Sequence, residues 1–303
     1  MTGRFAPSPT GDLHLGSLRT ALIAWLAARS AGEAFILRTE DLDLVAASDE
    51  HERSQQADLR ALGVDWDGPV WRQRDRFPVY RAALDVLDQQ GLTYECFCSR
   101  REIREAAAAP HGNEGLIYPG TCRNLSDAAR ARRRAEREPA IRFRSDAEQI
   151  DVDDIVAGRT RAAAHDVVLR RNDGVPAYNL AVVVDDAAQG VDLVVRGDDL
   201  LPSTPTQVAI LRALDHSVPR YAHVPLVVGE DGRRLAKRDG AITLRDLAAT
   251  GISVDAVRSA LAVSIGVIDA GEPFTASDLV ERFDLVRFAA RGRSPISVKN
   301  LCV

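Results

Sequence analysis

The stretch RFAPSPTGDLHLGSLR, residues 4–19, decides the fold of this chain. A short apolar segment leads through a turn rich in Pro, Ser, Thr and Gly into a helical pattern that begins after Gly16. Gly11 and Gly16 allow the backbone to turn and to approach a ligand closely. His14 is predicted just before the first helical turn, where unpaired N–H groups and the macrodipole favour anions. The stretch therefore predicts either a nucleotide phosphate site or an ordinary strand-to-helix connection.

The residues after this helix complete a βαβ unit. Gly32 is a plausible end of the helix, and residues 34–38 have the pattern of a buried strand. An acidic turn containing Glu40 and Asp41 follows that strand. A βαβ unit implies an α/β fold with a parallel sheet, whose ligands bind at the carboxyl ends of the strands. Glu40 is predicted to lie at such an end.

The rest of the chain alternates between helical and strand patterns. Helices are predicted over residues 48–62, 78–90, 204–214, 244–250, 254–266 and 276–283, and strands over 151–158, 166–171, 192–195 and 223–228. Residues 94–144 have the pattern of an insertion that begins with the strand YECFC and ends with the strand AIRFR. Its arginine-rich run, residues 130–137, is interpreted as a solvated helix face or as an RNA contact.

Composition excludes several classes of protein. The hydrophobic fraction of 46% is typical of a soluble chain with a sizeable core, and 303 residues are enough for two closely joined modules. The prolines Pro7 and Pro9 argue against a signal peptide, and no apolar run reaches the length of a membrane span. We expect a cytoplasmic protein without a membrane partner. The net charge of −5 argues against a strongly basic, non-specific nucleic-acid binder.

One lysine is distinctive because lysine is so rare here. Only two of the 39 basic residues are lysines, Lys237 and Lys299. Ammonium and guanidinium groups are not interchangeable at a close phosphate contact. Lys237, in the polar loop over residues 230–240, is therefore predicted to contact phosphate.

Three of the four cysteines are clustered in the insertion. Cys96, Cys98 and Cys122 fall within 27 residues, which favours a metal site over a disulfide framework in a reducing compartment. A tetrahedral Zn²⁺ site needs a fourth donor, for which His111 and Tyr118 are both candidates. The alternative is a set of free thiols.

Five blocks, in order, resemble the glutamyl branch of the class I aminoacyl-tRNA synthetases. SPTGDLHLGS is similar to the "HIGH" signature, and RRLAKR occupies the place of the "KMSKS" loop. RFAPSPTG with RTEDLD, then PAYNLAVVVDD and VVRGDDLLPSTPTQ, resemble further blocks of that branch. The resemblance covers residues 4–244. It implies a Rossmann-type, doubly wound catalytic domain that makes glutamyl-adenylate from L-glutamate and ATP with Mg²⁺.

The resemblance also implies a role for individual residues. For L-glutamate they are Arg4, Ala6, Ser8, Glu40, Tyr178 and Arg196, and for ATP they are Gly11, His14, Gly16 and Lys237. Arg4 and Arg196 can hold a side-chain carboxylate, while Glu40 accepts from the α-ammonium group. His14 and Lys237 are the expected catalytic residues, which stabilise the transition state and the departing pyrophosphate.

The chain departs from the family pattern at four positions. In the KMSKS-like loop, Arg234 and Ala236 replace a lysine and a serine, whereas Lys237 is kept. Ser17 replaces the last histidine of the HIGH-like motif, as is common in the glutamyl branch. Val182 stands where many full-length glutamyl enzymes have asparagine, which favours a subfamily with a slightly different pocket.

Two further features narrow the resemblance. A subgroup of glutamyl-type enzymes binds zinc with Cys-x-Cys and Tyr-x3-Cys, which implies Zn²⁺ held by Cys96, Cys98, Tyr118 and Cys122. Only about 60 residues follow the KMSKS-like loop, whereas full-length members carry a large anticodon-binding domain there. This architecture resembles a truncated subfamily that transfers glutamate to the queuosine base at the wobble position of tRNA(Asp), which it binds by the anticodon arm.

We therefore expect a monomer with L-glutamate, ATP and queuosine-modified tRNA(Asp) as partners. The expected organisation is a Rossmann domain over 1–93 and 145–228, a zinc-bearing insertion over 94–144, and a loop with a helical C-terminal part over 229–303. Two alternatives remain open at this point. One is a truncated glutamyl-tRNA synthetase that charges a 3′ end, and the other is a non-catalytic tRNA-binding paralogue.

Overall fold

The strand that opens the chain lies inside a seven-stranded sheet. In the computed structural model, which describes residues 2–99, 101–103, 117–229, 242–292 and 295–297, the sheet has the order β3-β2-β1-β9-β10-β6-β7. Its strands are β1 (Thr2–Phe5), β2 (Ala34–Thr39), β3 (Trp71–Arg72), β6 (Gln149–Asp154), β7 (Gly158–Ala163), β9 (Leu193–Gly197) and β10 (Arg220–Val224). Neighbouring strands are parallel except for β6 and β7. The predicted parallel α/β sheet is confirmed.

Helices cover both faces of this sheet. They are α1 (Leu15–Ser30), α2 (Asp49–Ala61), α3 (Phe77–Gln89), α5 (Tyr178–Ala188) and α6 (Thr204–Ala213). Along β9, Leu193 and Val195 pack in the same core as α1, whereas Val194 packs with Val208 of α6. Because successive strand residues point to opposite faces, this alternation shows that the sheet is doubly wound.

Two sequence predictions about strands were wrong in detail, and one strand was missed. The strand predicted over 151–158 is a hairpin instead: β6 ends at Asp154 and β7 starts at Gly158. β7 was missed because this edge strand is largely exposed and lacks an apolar alternation. The strand predicted over 223–228 is divided at Pro225, after which β11 (Val227–Val228) pairs with β12 (Ile296–Ser297).

The insertion forms a small sheet of its own. β4 (Thr93–Cys96) pairs antiparallel with β5 (Ala140–Phe143), so the two strands predicted at its ends do meet. A third strand, β8 (Val168–Arg170), joins β5 from outside the range 94–144. The arginine-rich run forms α4 (Asp127–Glu136), which has no buried residue.

The remaining helices lie against α1. They are α7 (Leu244–Ala249), α8 (Val254–Ile265), α9 (Ala276–Arg282) and α10 (Leu285–Ala289). Leu261, Leu279 and Phe288 belong to the same buried core as the side chains of α1. Among the helices that the structure describes, none is both long and apolar enough to cross a membrane.

A buried ionic network ties β2 to α5 at the carboxyl edge of the sheet. Arg38 is 0% exposed. Its Nη1 lies 2.8 Å from Asp186 and 2.9 Å from Gln189, and its Nη2 lies 3.2 Å from Glu40. Asp185 is 3.7 Å from Nε of the same guanidinium. One buried cation therefore holds three carboxylates together.

Replacing this cation tests the network. We expect Arg38→Met to lower the free energy of unfolding by about 3–5 kcal/mol, because it removes the buried cation that three carboxylates share. Urea denaturation followed by circular dichroism measures the effect. The matched control is Arg159→Met, which removes an exposed arginine of β7 and should leave the midpoint unchanged. Equal midpoints for the two variants would contradict the structural role of Arg38.

Candidate active site

The turn between β1 and α1 places His14 at the N-cap of α1. Its Nδ1 accepts a hydrogen bond from the Ser17 backbone N–H at 3.2 Å, so the ring proton is on Nε2. A Cβ atom on Gly16 would lie only 3.0–3.1 Å from this ring. The absence of a side chain at Gly16 therefore lets the imidazole lie against the first turn, where N–H groups favour anions. The predicted position of His14 is confirmed.

A cavity of about 480 Å³ opens beside this helix N-terminus. It is lined by every described residue of the two predicted substrate sets: Arg4, Ala6, Ser8, Glu40, Tyr178 and Arg196 of one set, and Gly11, His14 and Gly16 of the other. The structure thus brings these nine residues to one place at the carboxyl ends of β1, β2 and β9. Lys237, Arg234 and Ala236 lie outside the described residues.

Two buried arginines of this cavity differ in how their charge is balanced. Arg4, on β1, has its Nε 3.3 Å from the Asp186 carboxylate and donates from Nη1 to the carbonyl of Val195 at 3.2 Å. Asp186 is in turn shared with Arg38. The pKa of the buried Asp186 is lowered because these two arginines outweigh the effect of its burial. Arg4 therefore already has a counter-ion within the protein.

Arg196, at the end of β9, is surrounded by neutral acceptors. It is 5% exposed, and it donates from Nε to His223 at 3.0 Å, from Nη1 to Gln207 at 2.8 Å and from Nη2 to Thr204 at 2.8 Å. In the described part of the chain, no carboxylate is ion-paired with this guanidinium. A buried cation without a counter-ion at the wall of a cavity is suited to bind an anion.

His223 is fixed in one neutral tautomer. Its Nδ1 lies 2.6 Å from the Asp154 carboxylate, and its Nε2 faces the Nε–H of Arg196. Because arginine can only donate, Nε2 must accept and the ring proton must be on Nδ1. Burial lowers the pKa of His223, and the Arg196 guanidinium lowers it further, against the opposing effect of Asp154.

Sequence reasoning missed the groups that hold Arg196. His223, Thr204 and Gln207 are buried, and they come from a strand and a helix that look like ordinary core elements in the sequence. A signal was available for His223 alone, which is a polar residue between the apolar Ala222 and Val224.

Glu40 follows β2 directly, as predicted. Its backbone N–H bonds to the carbonyl of Pro7, and its side chain accepts from Arg38 at 3.2 Å. Burial raises the pKa of Glu40, although Arg38 and Arg4 oppose that shift. The cavity therefore presents a carboxylate at one wall and the Arg196 guanidinium at another.

A second cavity, of about 730 Å³, adjoins the first. The two share the wall residues Ser8, Thr10, Glu40 and Tyr178. The far wall of the second cavity contains Cys96, Cys98 and Arg142. The main sheet and the insertion thus border one continuous opening.

The three clustered cysteines converge as predicted. The Sγ atoms of Cys96, Cys98 and Cys122 lie within 4.8 Å of one another, close enough to ligate a single metal ion. The Tyr118 hydroxyl is 3.4 Å from the Cys96 sulfur and 3.6 Å from the Cys98 sulfur. His111, the other candidate for the fourth donor, lies outside the described residues.

Arg142 favours the thiolate of one member of this cluster, Cys96. Its guanidinium lies 3.7 Å from the centre of the Tyr118 ring. Burial disfavours ionisation of Cys96, but the hydrogen bond with Tyr118 and the Arg142 charge outweigh it, so the pKa of that thiol is lowered. Metal ions bind the thiolate form of cysteine. The donor set therefore fits a metal ion.

Comparison with known proteins identifies the family of the chain. The family model described as "tRNA synthetases class I (E and Q), catalytic domain" matches residues 1–292. A protein of Nocardia farcinica named "Glutamyl-Q tRNA(Asp) synthetase" is 57% identical over 94% of this chain and 90% of its own length. A protein of the same name from Symbiobacterium thermophilum is 46% identical over 98% of this chain and 96% of its own length.

A solved structure shows the same fold. The glutamate tRNA ligase of Elizabethkingia meningosepticum, in complex with its amino acid, matches 99% of this chain and 68% of that chain, with a TM-score of 0.81 and 24% identity. Because the two sequences are only 24% identical, the likeness between the structures supports the fold alone.

The neutral state of His223 predicts a pH dependence of stability. Because its pKa is lowered in the folded protein, the unfolded chain binds a proton at this ring first as the pH falls. We expect its contribution to stability to be complete above about pH 6.5 and to decline below that value. Urea unfolding at a series of pH values measures it. His223→Gln keeps one acceptor and one donor without titrating, and should remove this decline; an unchanged pH profile would contradict the assigned tautomer.

Proposed function

The chain belongs to the catalytic-domain family of the class I tRNA synthetases for E and Q, and from this we propose that it activates L-glutamate with ATP and transfers the glutamyl group to the queuosine base at the wobble position of tRNA(Asp). It is a ligase of the tRNA synthetase class. The names of its relatives support glutamate as the amino acid and tRNA as the acceptor. We propose that it works in the cytoplasm as a monomer.

The observation that carries the proposal is the charge pattern of the 480 Å³ cavity. Among the residues that the structure describes, Arg196 is a buried guanidinium held by neutral acceptors alone, so a substrate carboxylate would supply its counter-ion. Arg4 adds a second guanidinium on the same wall, and Glu40 is placed to accept from an α-ammonium group. An amino acid with an anionic side chain complements this set. Tyr178, Ser8 and Ala6 complete the walls around it.

The α1 N-terminus is proposed to bind ATP. The phosphates would lie at the positive end of the α1 macrodipole, beside Gly11, His14 and Gly16. The glutamate α-carboxylate attacks the α-phosphorus, the bond to the β-phosphate oxygen breaks, and pyrophosphate leaves as a mixed anhydride forms. His14 and Lys237 are proposed to stabilise the charge that develops on the departing pyrophosphate. Mg²⁺ bound to ATP would neutralise part of the phosphate charge.

The second cavity is proposed to receive the acceptor. It borders the amino-acid cavity through Ser8, Thr10, Glu40 and Tyr178, so a nucleoside placed there would reach the activated carboxyl group. A hydroxyl of the queuosine cyclopentenediol attacks the anhydride carbonyl, an ester forms, and AMP leaves. No side chain needs to form a covalent intermediate.

We also propose that the cysteine cluster holds a structural Zn²⁺. Cys96, Cys98 and Cys122 supply three thiolates, and Tyr118 is the proposed fourth ligand because its hydroxyl lies among them. When bound, the ion would cross-link β4 to the segment that follows residue 117. Arg142 offsets part of the negative charge of the ligands.

Metal analysis of purified variants tests the zinc proposal. We expect about one zinc per chain in the wild type and a large loss in Cys98→Ser, because a structural site needs all of its thiolates. Cys302→Ser is the matched control and should retain its zinc. Competition with a chelator then compares Tyr118→Phe with the wild type. Undiminished zinc in Cys98→Ser would remove Cys98 from the site, and an unchanged chelator profile would remove Tyr118.

Transfer of labelled glutamate to defined tRNAs tests the function. We expect ATP-dependent labelling of tRNA(Asp) that contains queuosine and none of the same tRNA without it, because the modified base supplies the attacking hydroxyl. Removal of the 3′-terminal adenosine, which takes away the hydroxyls that ordinary charging uses, should leave the labelling unchanged.

Other outcomes identify the alternatives. Label on the 3′ end of tRNA(Glu) would show a truncated glutamyl-tRNA synthetase. A binding protein without synthetase activity would show no glutamate-dependent ATP–pyrophosphate exchange. In that case, Lys237→Ala would not lower the exchange rate further.

A further inference from the structure

The neutral shell of Arg196 contrasts with the surroundings of the other buried arginines at this edge of the sheet. Arg4 and Arg38 each lie within 3.3 Å of the Asp186 carboxylate. The three side chains that hold Arg196 instead offer an amide, a hydroxyl and a neutral imidazole. These three, Gln207, Thr204 and His223, are named here the neutral cradle.

We propose that the neutral cradle determines specificity for an acidic side chain, with Gln207 as the specificity-determining position. The cradle fixes the direction of the Arg196 guanidinium without neutralising it, so that its charge is balanced only when a substrate carboxylate binds. This inference rests on the proposed function, since it assigns that carboxylate to the side chain of the amino acid.

Gln207 is built to present an oxygen to Arg196. It lies on α6 and is 1% exposed. Its Oε1 accepts from Nη1 of Arg196 at 2.8 Å, and its Nε2 donates to Oδ1 of Asn179 at 3.0 Å. Asn179 therefore fixes the orientation of the amide, and the oxygen cannot turn away without breaking both hydrogen bonds.

Thr204 and His223 are constrained in a similar way. The Thr204 hydroxyl accepts from Arg196 and lies 3.1 Å from Nε2 of His223. Nδ1 of His223 is engaged by Asp154, which lies on β6 and is separated from the guanidinium by the imidazole ring. The negative charge nearest to the cradle is thus held one side chain away from Arg196.

A carboxylate in the cradle would act against an anionic substrate. Glutamate at position 207 would have nearly the same shape as glutamine, but would put a negative charge about 3 Å from Nη1 in a site of low dielectric constant. The resulting internal ion pair would neutralise Arg196 and repel the incoming carboxylate. A neutral side chain such as that of L-glutamine would not be repelled. Specificity would then shift from the acid toward the amide.

The variant Gln207→Glu tests this inference by ATP–pyrophosphate exchange. We expect the KM for L-glutamate to rise on the order of 10–100-fold, the loss typical of a charge-assisted hydrogen bond. The KM for ATP should stay within about twofold, because none of the three cradle residues lines the cavity where ATP is proposed to bind. The rate with L-glutamine relative to L-glutamate should increase. Gln207→Met, which removes the acceptor without adding a charge, should raise the KM for L-glutamate less than Gln207→Glu does.

Gln149→Glu is the matched control. It makes the same chemical change at an exposed position of β6 and should leave both KM values at the wild-type level. Circular dichroism and the melting temperature establish that each variant is folded. Where Gln207→Glu does not fold, Thr204→Asp places a carboxylate beside the other terminal nitrogen of Arg196 and must give the same pattern.

The outcomes separate this inference from the function on which it rests. If the wild type shows no exchange with L-glutamate and no thermal stabilisation by it, the proposed function fails. If the wild type shows both but Gln207→Glu raises the KM for L-glutamate no more than Gln207→Met, the charge argument is wrong and Gln207 only supports the packing. Equal losses for L-glutamate and L-glutamine in Gln207→Glu would also overturn it.

Discussion

The Asp186 carboxylate, shared by Arg4 and Arg38, is the interaction on which the rest of the site depends. Arg4 belongs to β1, Arg38 to β2 and Asp186 to α5, so this group of charges joins two neighbouring strands to a helix that covers them. All three side chains are buried. Asp186 contacts both guanidinium groups, and each of the three residues therefore helps to fix the place of the other two. The carboxyl ends of the strands are held in register by charge as well as by backbone hydrogen bonds.

This arrangement divides the cations of the site into two kinds. Those that tie elements together have carboxylates of their own, whereas Arg196 is held by neutral groups and faces the cavity. A protein that paired every arginine would gain local stability but would have no charge available for a ligand. The same logic separates Asp154 from Arg196 by an imidazole ring. We interpret the neutral surroundings of Arg196 as the feature that suits it to bind an anion, whereas Arg4 lines the same cavity and also ties β1 to α5.

The sequence predicted best those features that depend only on neighbouring residues. The position of His14 follows from a turn that ends at a helix, and that of Glu40 from the end of a buried strand, because both depend only on neighbouring residues. The edge strand β7 was missed because both of its faces are largely exposed, so its sequence does not alternate between apolar and polar residues. Gln207, Thr204 and His223 were missed for a different reason: their role arises from the packing of α6 against the sheet and leaves no periodic signal. The resemblance to known enzymes predicted the residues of the cavity but not the groups that orient them.

The wall shared by the two cavities has an evolutionary consequence. Ser8, Thr10, Glu40 and Tyr178 face both openings, so a substitution there alters the surroundings of two ligands at once. Residues deep in one cavity, such as those around Arg196, can change without affecting the other. Divergence toward a new acceptor is therefore expected to begin on the far wall, near Arg142 and the cysteines, while the shared wall stays as it is.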